Sequence, residues 1–279
     1  MLTPFDIKNL LEEKDLKVLK SLGQNFLIDE MVLSEIVSAA DLGAEDVVLE
    51  VGPGLGTLTA ELAKKCKAVI AVEKDKKMAE MLLKNKLTSG LRNAEILEGD
   101  ILRMNIADLI KEHDSSGKYK LVSNIPYYIT SPIIKLFLET PLQPKMIVLL
   151  VQKEVAQRIC APKGKLSVLA LSVLLYGKPE IVGYVPRTAF FPVPKVDSAI
   201  LKITDIEKKH SDEYYQKIFR IIKMGFSAKR KKLVNNISGG LQIEKEEAEN
   251  MLLKLQISPD VRAQELGLEE WEKLAEITR

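Results

Sequence analysis

Apolar positions fall into two regimes along this chain. Up to about residue 204 they form short continuous runs, at 47–52, 68–73, 94–98, 119–125 and 146–151, separated by amphipathic stretches. Runs of that length, rich in Val and Ile, predict buried strands, and the 3.6-residue periodicity between them predicts helices. The helices expected are Met31–Ala40, Ala60–Lys65, one beginning over Pro132–Leu138, and a long apolar one at Leu166–Leu175. Ile181–Val185 and Ala199–Ile203 are expected to pair as an antiparallel edge. A mostly parallel seven-stranded sheet with helices on both faces buries such strands, which makes the fold class Rossmann-like α/β.

After Thr204 the pattern changes. Thr204–Glu213 is charged and nearly lacks apolar residues. Beyond it the periodicity is helical: Tyr214–Met224, Lys229–Ile237, Glu244–Leu255 and Leu268–Ile277, punctuated by Gly239-Gly240 and Ser258-Pro259. The chain therefore divides into an α/β domain at 1–204 and a small all-α domain at 205–279.

In sheets of this kind ligands bind beyond the C-terminal strand ends. The first such end opens into Gly52-Pro53-Gly54-Leu55-Gly56-Thr57. Glycines there let the backbone approach a ligand. The spacing is Gly-x-Gly-x-Gly; a dinucleotide fingerprint needs glycine at 57, where Thr57 stands, and no Gly-Lys-Ser/Thr follows to make a P-loop. The second strand ends in Glu73, whose carboxylate can accept from both hydroxyls of a ribose. The third runs into Gly99-Asp100, with Asp100 placed to accept from an adenine amino group. A loop for a methionine-like tail, one acid for ribose and one for adenine together describe S-adenosylmethionine.

The fourth strand ends in Asn124-Ile125-Pro126-Tyr127-Tyr128. Asn124 offers a side-chain acceptor, Pro126 a backbone carbonyl, and Tyr127 a flat ring face. Such a pocket suits an exocyclic amine on a base flipped out of a nucleic acid. The alternative is a plain strand-ending turn, where Asn and Pro are common.

Composition narrows the classes. Hydrophobic residues make up 46% of the chain and charged residues 29%, which suits a packed domain with a solvated surface. The net charge is only +2, so any binding of nucleic acid rests on local basic patches. Cys66 and Cys160 fit no metal or redox spacing and read as packed thiols. His113 and His210 stand apart in polar stretches, and no metal site is expected. No signal peptide and no long apolar segment is seen, so a cytoplasmic protein is expected.

Six segments occur in a characteristic order: Leu22-Gly23-Gln24-Asn25-Phe26-Leu27, the glycine loop at 52–59, Glu73, Gly99-Asp100, Asn124–Tyr127, and Phe190-Phe191-Pro192-Val193-Pro194-Lys195-Val196-Asp197-Ser198. In that combination the chain resembles the ribosomal RNA adenine N6-dimethyltransferases, and within them the bacterial small-subunit group. The resemblance runs from about Ile7 to the end. It implies a class I methyltransferase domain, S-adenosylmethionine as cofactor, and dimethylation of two neighbouring adenines near the 3′ end of small-subunit RNA during ribosome biogenesis. It implies that Asn25 and Leu27 line the methionine end of the cofactor with Gly52, Gly54 and Gly56. Asn124 and Pro126 would hold the target amine, while Tyr127 and Phe190 would enclose the base. The helical domain would grip RNA through Lys223 and the basic run Lys229-Arg230-Lys231-Lys232, extended by Arg158, Lys163 and Lys165. The expected partner is small-subunit RNA in an immature subunit, the expected state a monomer.

One departure is visible. Ala161-Pro162-Lys163-Gly164-Lys165 leads straight into Leu166-Ser167-Val168, where the family usually carries a longer loop with Gly and Tyr. Two alternatives share most of these motifs. One is a large-subunit adenine methylase of the macrolide-resistance type; Arg262–Leu266 and Lys229–Leu233 favour the small-subunit group over it. The other is a non-catalytic RNA-binding assembly factor, against which the intact Glu73, Asp100 and Asn124–Tyr127 argue.

Overall fold

A computed structural model describes residues 3–13, 24–84 and 88–278. Leu22 and Gly23 of the first motif lie outside the described residues. The elements in order are α1 (Pro4–Glu13), β1 (Phe26–Leu27), α2 (Glu30–Ala39), β2 (Val47–Val51), α3 (Thr57–Ala63), β3 (Ala68–Glu73), α4 (Lys76–Lys84), β4 (Ala94–Glu98), α5 (Ile106–Lys111), β5 (Lys120–Asn124), α6 (Thr130–Glu139), β6 (Met146–Gln152), α7 (Lys153–Ile159), α8 (Val168–Leu174), β7 (Lys178–Val185), β8 (Phe190–Phe191), β9 (Ser198–Thr204), α9 (Asp212–Gly225), α10 (Leu233–Leu241), α11 (Lys245–Lys254) and α12 (Leu268–Ile277).

Seven strands form one sheet in the order β4-β3-β2-β5-β6-β9-β7, and β1 pairs with β8 in a separate two-stranded ribbon. β4, β3, β2, β5 and β6 run parallel to one another; β9 is antiparallel to both β6 and β7. The antiparallel pair predicted as an edge does form, but β9 lies inside the sheet and only β7 is at its rim. The reason is visible in burial: β9 is buried along nearly its whole length, while alternate residues of β7 face solvent.

Chain order makes β2 and β5 the switch point. From β2 the chain winds outward through β3 and β4, and from β5 it winds the other way through β6. The two strands pair at Val48↔Lys120 and Leu49↔Leu121 only, whereas β2 and β3 pair along five positions. Past Leu49 they part, and the Val51 N–H donates instead to the Ser123 hydroxyl at 2.7 Å. The gap left between the strand ends is a cleft.

Contacts divide the chain into two compact units, Met1–Ala156 with Lys178–Ile206, and Gln157–Gly177 with Glu207–Arg279. The composition change at 204 falls beside the third passage between units, at 206/207; the first two, at 156/157 and 177/178, carry no such signal. In the helical unit Trp271 of α12 is fully buried, against Gly225 at the end of α9 and the Phe226 ring.

Three expectations from the sequence change here. The apolar helix of 166–175 is shorter, with Ser167 as its cap accepting from the Ala170 N–H at 3.2 Å. The basic run 229–232 does not open a helix as its periodicity predicts; α10 begins only at Leu233. The buried Asn236 side chain donates to the carbonyls of Gly225 at 2.6 Å and Ala228 at 3.2 Å. That tether ties the connection back to the end of α9 and leaves the cations in an exposed turn. Gly239 and Gly240 lie within α10 and do not end it; a Cβ on Gly240 would come within 2.8 Å of Met224, so glycine serves helix packing there.

The glycine loop between β2 and α3 has Gly52, Gly54 and Gly56 all at positive φ. Gly56 is the most constrained, at φ +80, and a Cβ on it would meet Thr88 Cγ2 at 2.5 Å and Leu82 at 3.0 Å. Gly56→Ala is expected to destabilise the protein by about 2 kcal/mol, since it adds both backbone strain and overpacking. A thermal melt unchanged from wild type contradicts this reading of the loop.

Candidate active site

Every strand that ends at the cleft delivers a polar residue to it. The cavity is lined by Asn25 and Leu27 on one side, by Gly52 and Gly54 from the β2–α3 loop, by Glu73 and Lys74 after β3, by Gly99 and Asp100 after β4, and by Asn124, Pro126, Tyr127 and Tyr128 after β5. Of the residues expected from sequence to meet a cofactor, all line this cavity except Gly56, which faces α4 and Thr88 instead.

Glu73 ends β3 and is 7% exposed. Burial pushes its pKa up, opposed by backbone N–H groups of Asp75, Gly54 and Lys74 that hydrogen-bond to it. The Asp75 N–H donates to Oε1 at 2.8 Å. Asp100 behaves oppositely. Lys74 Nζ lies 2.9 Å from its Oδ2 and the Leu102 N–H donates to Oδ1 at 3.2 Å. The lysine beside it holds the carboxyl below its ordinary value.

Asn124 Nδ2 donates to the backbone carbonyl of Asn25 at 3.3 Å. That bond fixes the amide and turns Oδ1 away from Asn25. The Pro126 carbonyl accepts from the Ile129 N–H at 3.1 Å because 127–129 form a 3₁₀ turn. A second lone pair remains on that oxygen. The Tyr127 hydroxyl shares a 2.7 Å hydrogen bond with Ser198, which is fully buried at the start of β9.

Phe190 stands elsewhere. It does not close over the base position as the resemblance implies; it is 1% exposed and packs in the apolar core with Leu27, Val122 and Ile200. Alternation along β8 explains this: Leu27 pairs with Phe190 and Phe26 with Phe191, so Phe190 points to the core and Phe191 to the opposite face. The basic residues Lys223, Lys229, Arg230, Lys231 and Lys232 all belong to the helical unit; the four of the run are exposed and Lys223 sits in the last turn of α9. Two of the expected RNA cations are already paired, Lys232 with Asp260 and Lys163 with Glu270.

Sequence reasoning passed over Glu50. It sits mid-strand in an otherwise apolar run, is 1% exposed, and lines the cavity. Burial pushes its pKa to about 8, only partly offset by the Thr59 hydroxyl, which donates to Oε2 at 2.6 Å; the charge of Glu73 raises it further. The signal was available, since one carboxylate inside a strand buried on both faces needs a reason. Ser123 and Ser198 were missed for the same cause.

Among the described residues no group of three or more His, Cys, Asp or Glu side chains could hold a metal ion, and no helix is long and apolar enough to cross a membrane. His113 Nε2 lies 2.7 Å from Glu95, and His210 stacks on Tyr214. Cys66 is buried, and its thiol is pushed up to about 11.

Comparison with known proteins places this geometry. A family model described as ribosomal RNA adenine dimethylase matches residues 16–279. The chain is 43% identical over 271 residues to ribosomal RNA small subunit methyltransferase A of Dehalococcoides mccartyi, covering 96% of this chain and 90% of that protein. It is 39% identical to the protein of the same name from Clostridioides difficile, covering 97% and 94%. Among solved structures it is similar to a dimethyladenosine transferase from Plasmodium falciparum, with TM-score 0.75, 28% identity, and 89% and 95% of the two chains covered. The 23S rRNA methyltransferase ErmE gives TM-score 0.71, 27% identity, and 90% and 98%.

The buried carboxyl at Glu50 has a consequence for stability. Unfolded it ionises near 4.5 and folded near 8, so between these values the native state keeps a proton that the unfolded state has lost. Raising the pH through that window therefore removes stability, at a limit of about 1.4 kcal/mol per pH unit. The ligand-free protein is expected to melt at lower temperature at pH 8 than at pH 5.5, and Glu50→Gln to flatten the dependence. Identical pH profiles for the two proteins contradict the assignment.

Proposed function

The chain belongs to the ribosomal RNA adenine dimethylase family, and from that premise we propose how its cavity works and on what. The protein is an S-adenosylmethionine-dependent ribosomal RNA adenine dimethyltransferase. Its substrate is small-subunit RNA: the curated relatives at 39% and 43% identity carry that name, while the two solved structures, a dimethyladenosine transferase and a 23S rRNA methyltransferase, are about equally similar. We propose that two adjacent adenines near the RNA 3′ end are modified, in an immature subunit, by a monomer in the cytoplasm.

The observation that carries the site assignment is the convergence of Asn124, Glu73 and the glycine loop on one cleft. The residues fit the cofactor. The loop at positive φ presents bare backbone, and two buried carboxylates raised in pKa by desolvation are eased by a ligand that carries positive charge. Glu73 accepts from ribose hydroxyls, and Asp100 with Lys74 meets the adenine end. Asn25, Leu27, Gly52 and Gly54 bound the methionine end, with Gly56 holding the loop in shape from behind.

When bound, S-adenosylmethionine supplies a methyl group on a positively charged sulfur. The chain's own work is then positioning more than base catalysis. Asn124 Oδ1 and the second lone pair of the Pro126 carbonyl accept the two N–H groups of the target amine. Both bonds strengthen as that nitrogen turns pyramidal and gains charge, so they favour the transition state over the ground state. Tyr127, its hydroxyl held by Ser198, presents its ring to the base. Phe190 contributes by supporting the Leu27 side of the cleft from the core. The helical unit adds phosphate contacts through Lys223, Lys229, Arg230 and Lys231, while Lys232 is held by Asp260.

Tritiated-methyl transfer to small-subunit particles and to naked large-subunit RNA, with mapping of the labelled base, tests the reading; label confined to large-subunit RNA overturns it. Asn124→Ala should bind cofactor normally and transfer methyl at least about 100-fold more slowly in single turnover, since its loss falls on the transition state. A wild-type rate removes Asn124 from the mechanism. Replacing Lys229, Arg230 and Lys231 with Ala should lower the slope of log K against log salt for RNA binding by about 0.7–0.9 for each phosphate no longer neutralised. An unaltered slope makes the run a solvated turn.

A further inference from the structure

The rim of the α/β unit beyond the adenine pocket has a surface that the proposed mechanism does not use. Tyr184, near the end of the edge strand β7, is 55% exposed. Lys153, at the start of α7, holds its Nζ 5.1 Å from the centre of the Tyr184 ring. Val193 and Val196, in the turn before β9, are 57% and 44% exposed. Arg187 and Lys195 are exposed beside them.

These residues are tied together by one short segment. Tyr184 pairs with Ala199 and Val185 with Ser198. The Lys153 N–H donates to the Asp197 carbonyl at 3.0 Å, and the Arg187 N–H donates to the Asp197 carboxylate at 3.1 Å. The next residue, Ser198, is the hydrogen-bond partner of Tyr127 in the pocket. The surface is therefore continuous with the pocket along the C-terminal rim of the sheet, and its geometry is set by strand register, not by a loose loop.

Its cations are not engaged by acids. Among the described residues Lys153, Arg187 and Lys195 make no ion pair of the kind that occupies Lys163 and Lys232. The acids nearby are Asp197, engaged by the Arg187 backbone, Glu154, next to Lys153 in sequence, and Glu35, whose carboxylate lies beside Gly183. A tyrosine with a cation over its ring, flanked by unpaired cations and small apolar side chains, suits a nucleobase with its phosphates.

We infer that Tyr184 and Lys153 form a stacking platform for an unpaired nucleotide flanking the methylated adenine, with Lys153, Arg187 and Lys195 meeting its phosphates. This rests on the reading of the pocket as an adenine site. From β5 to β7 is three strand spacings, about 14 Å, which a single strand spans with no more than about four nucleotides. The platform thus reads RNA immediately beside the target. It lies at a fixed distance from Asn124, because both stand on the same sheet.

The test compares wild type, Tyr184→Ala, Tyr184→Phe and Lys153→Ala. Two quantities are measured: binding of a single-stranded RNA oligonucleotide with two adjacent adenines, and KM for methyl transfer to small-subunit particles. Tyr184→Ala should weaken oligonucleotide binding and raise KM about fivefold or more, the loss falling on KM and not on kcat. Tyr184→Phe should restore both, since the ring face suffices. Lys153→Ala should lower the salt slope of oligonucleotide binding by about 0.7. Unchanged oligonucleotide binding in Tyr184→Ala overturns the inference. That includes the case where KM on particles still rises, because the surface then meets a protein of the particle. If wild type itself transfers no methyl to small-subunit adenines, the functional reading fails; if it does and Tyr184→Ala matches it in both measurements, only the platform fails.

Discussion

The Val51 N–H has to find a partner where its own sheet abandons it. β2 and β5 pair at two positions and then diverge, and the buried Ser123 hydroxyl takes the place of the missing ladder bond. An unpaired buried N–H there would cost on the order of 1–3 kcal/mol. One serine hydroxyl thus allows a parallel sheet to open at its centre without penalty. The rest of the site hangs from that opening. The glycine loop begins one residue past Val51, Asn124 follows Ser123 directly, and Glu50 looks into the space between them.

Charge is sorted across the molecule in a way the net value of +2 conceals. The cavity is acidic: Glu50 and Glu73 are buried in it and both are driven towards protonation by desolvation, with Asp100 kept ionised by Lys74. The exposed cations lie on surfaces, in the turn at 229–232 and at Arg187 and Lys195. An anionic polymer is attracted to the outside and repelled from the interior of the cleft, while a cationic small molecule is favoured inside. The flipped base, which carries no phosphate into the pocket, is the only part of RNA that this arrangement admits without electrostatic cost.

Much of this was legible in the sequence because the strands are short, apolar and sharply ended. Hydrophobic runs alone place Gly52, Glu73, Asp100 and Asn124 at strand ends, and the structure puts all four on one cavity. What was illegible depended on contacts between distant segments. That Phe190 belongs to the core follows from pairing with Leu27, which no local pattern encodes. That the basic run precedes its helix follows from Asn236 reaching back to Gly225. That 157–177 groups with the C-terminal helices depends on contacts such as the Leu166 N–H with the Gln264 carbonyl, at 3.2 Å. Glu50 was legible in principle; a charge inside an apolar strand marks itself, but the run of Val and Leu around it hides the exception.

The wall of the cleft that faces the glycine loop is not part of the sheet at all. It is the strand Phe26–Leu27, clamped by Phe190–Phe191, and Asn25 beside it receives the hydrogen bond that orients Asn124. The clamp joins an early segment of the chain to one near the end of the α/β unit, so it closes only after almost the whole unit exists. During synthesis the glycine loop, Glu73 and Asn124 all leave the ribosome well before residue 190. A nascent chain at that stage holds the floor of a cofactor site with one wall missing and the Asn124 amide unoriented. The enzyme therefore becomes able to hold its methyl donor only once the segment around residue 190 has emerged, late in the synthesis of the α/β unit.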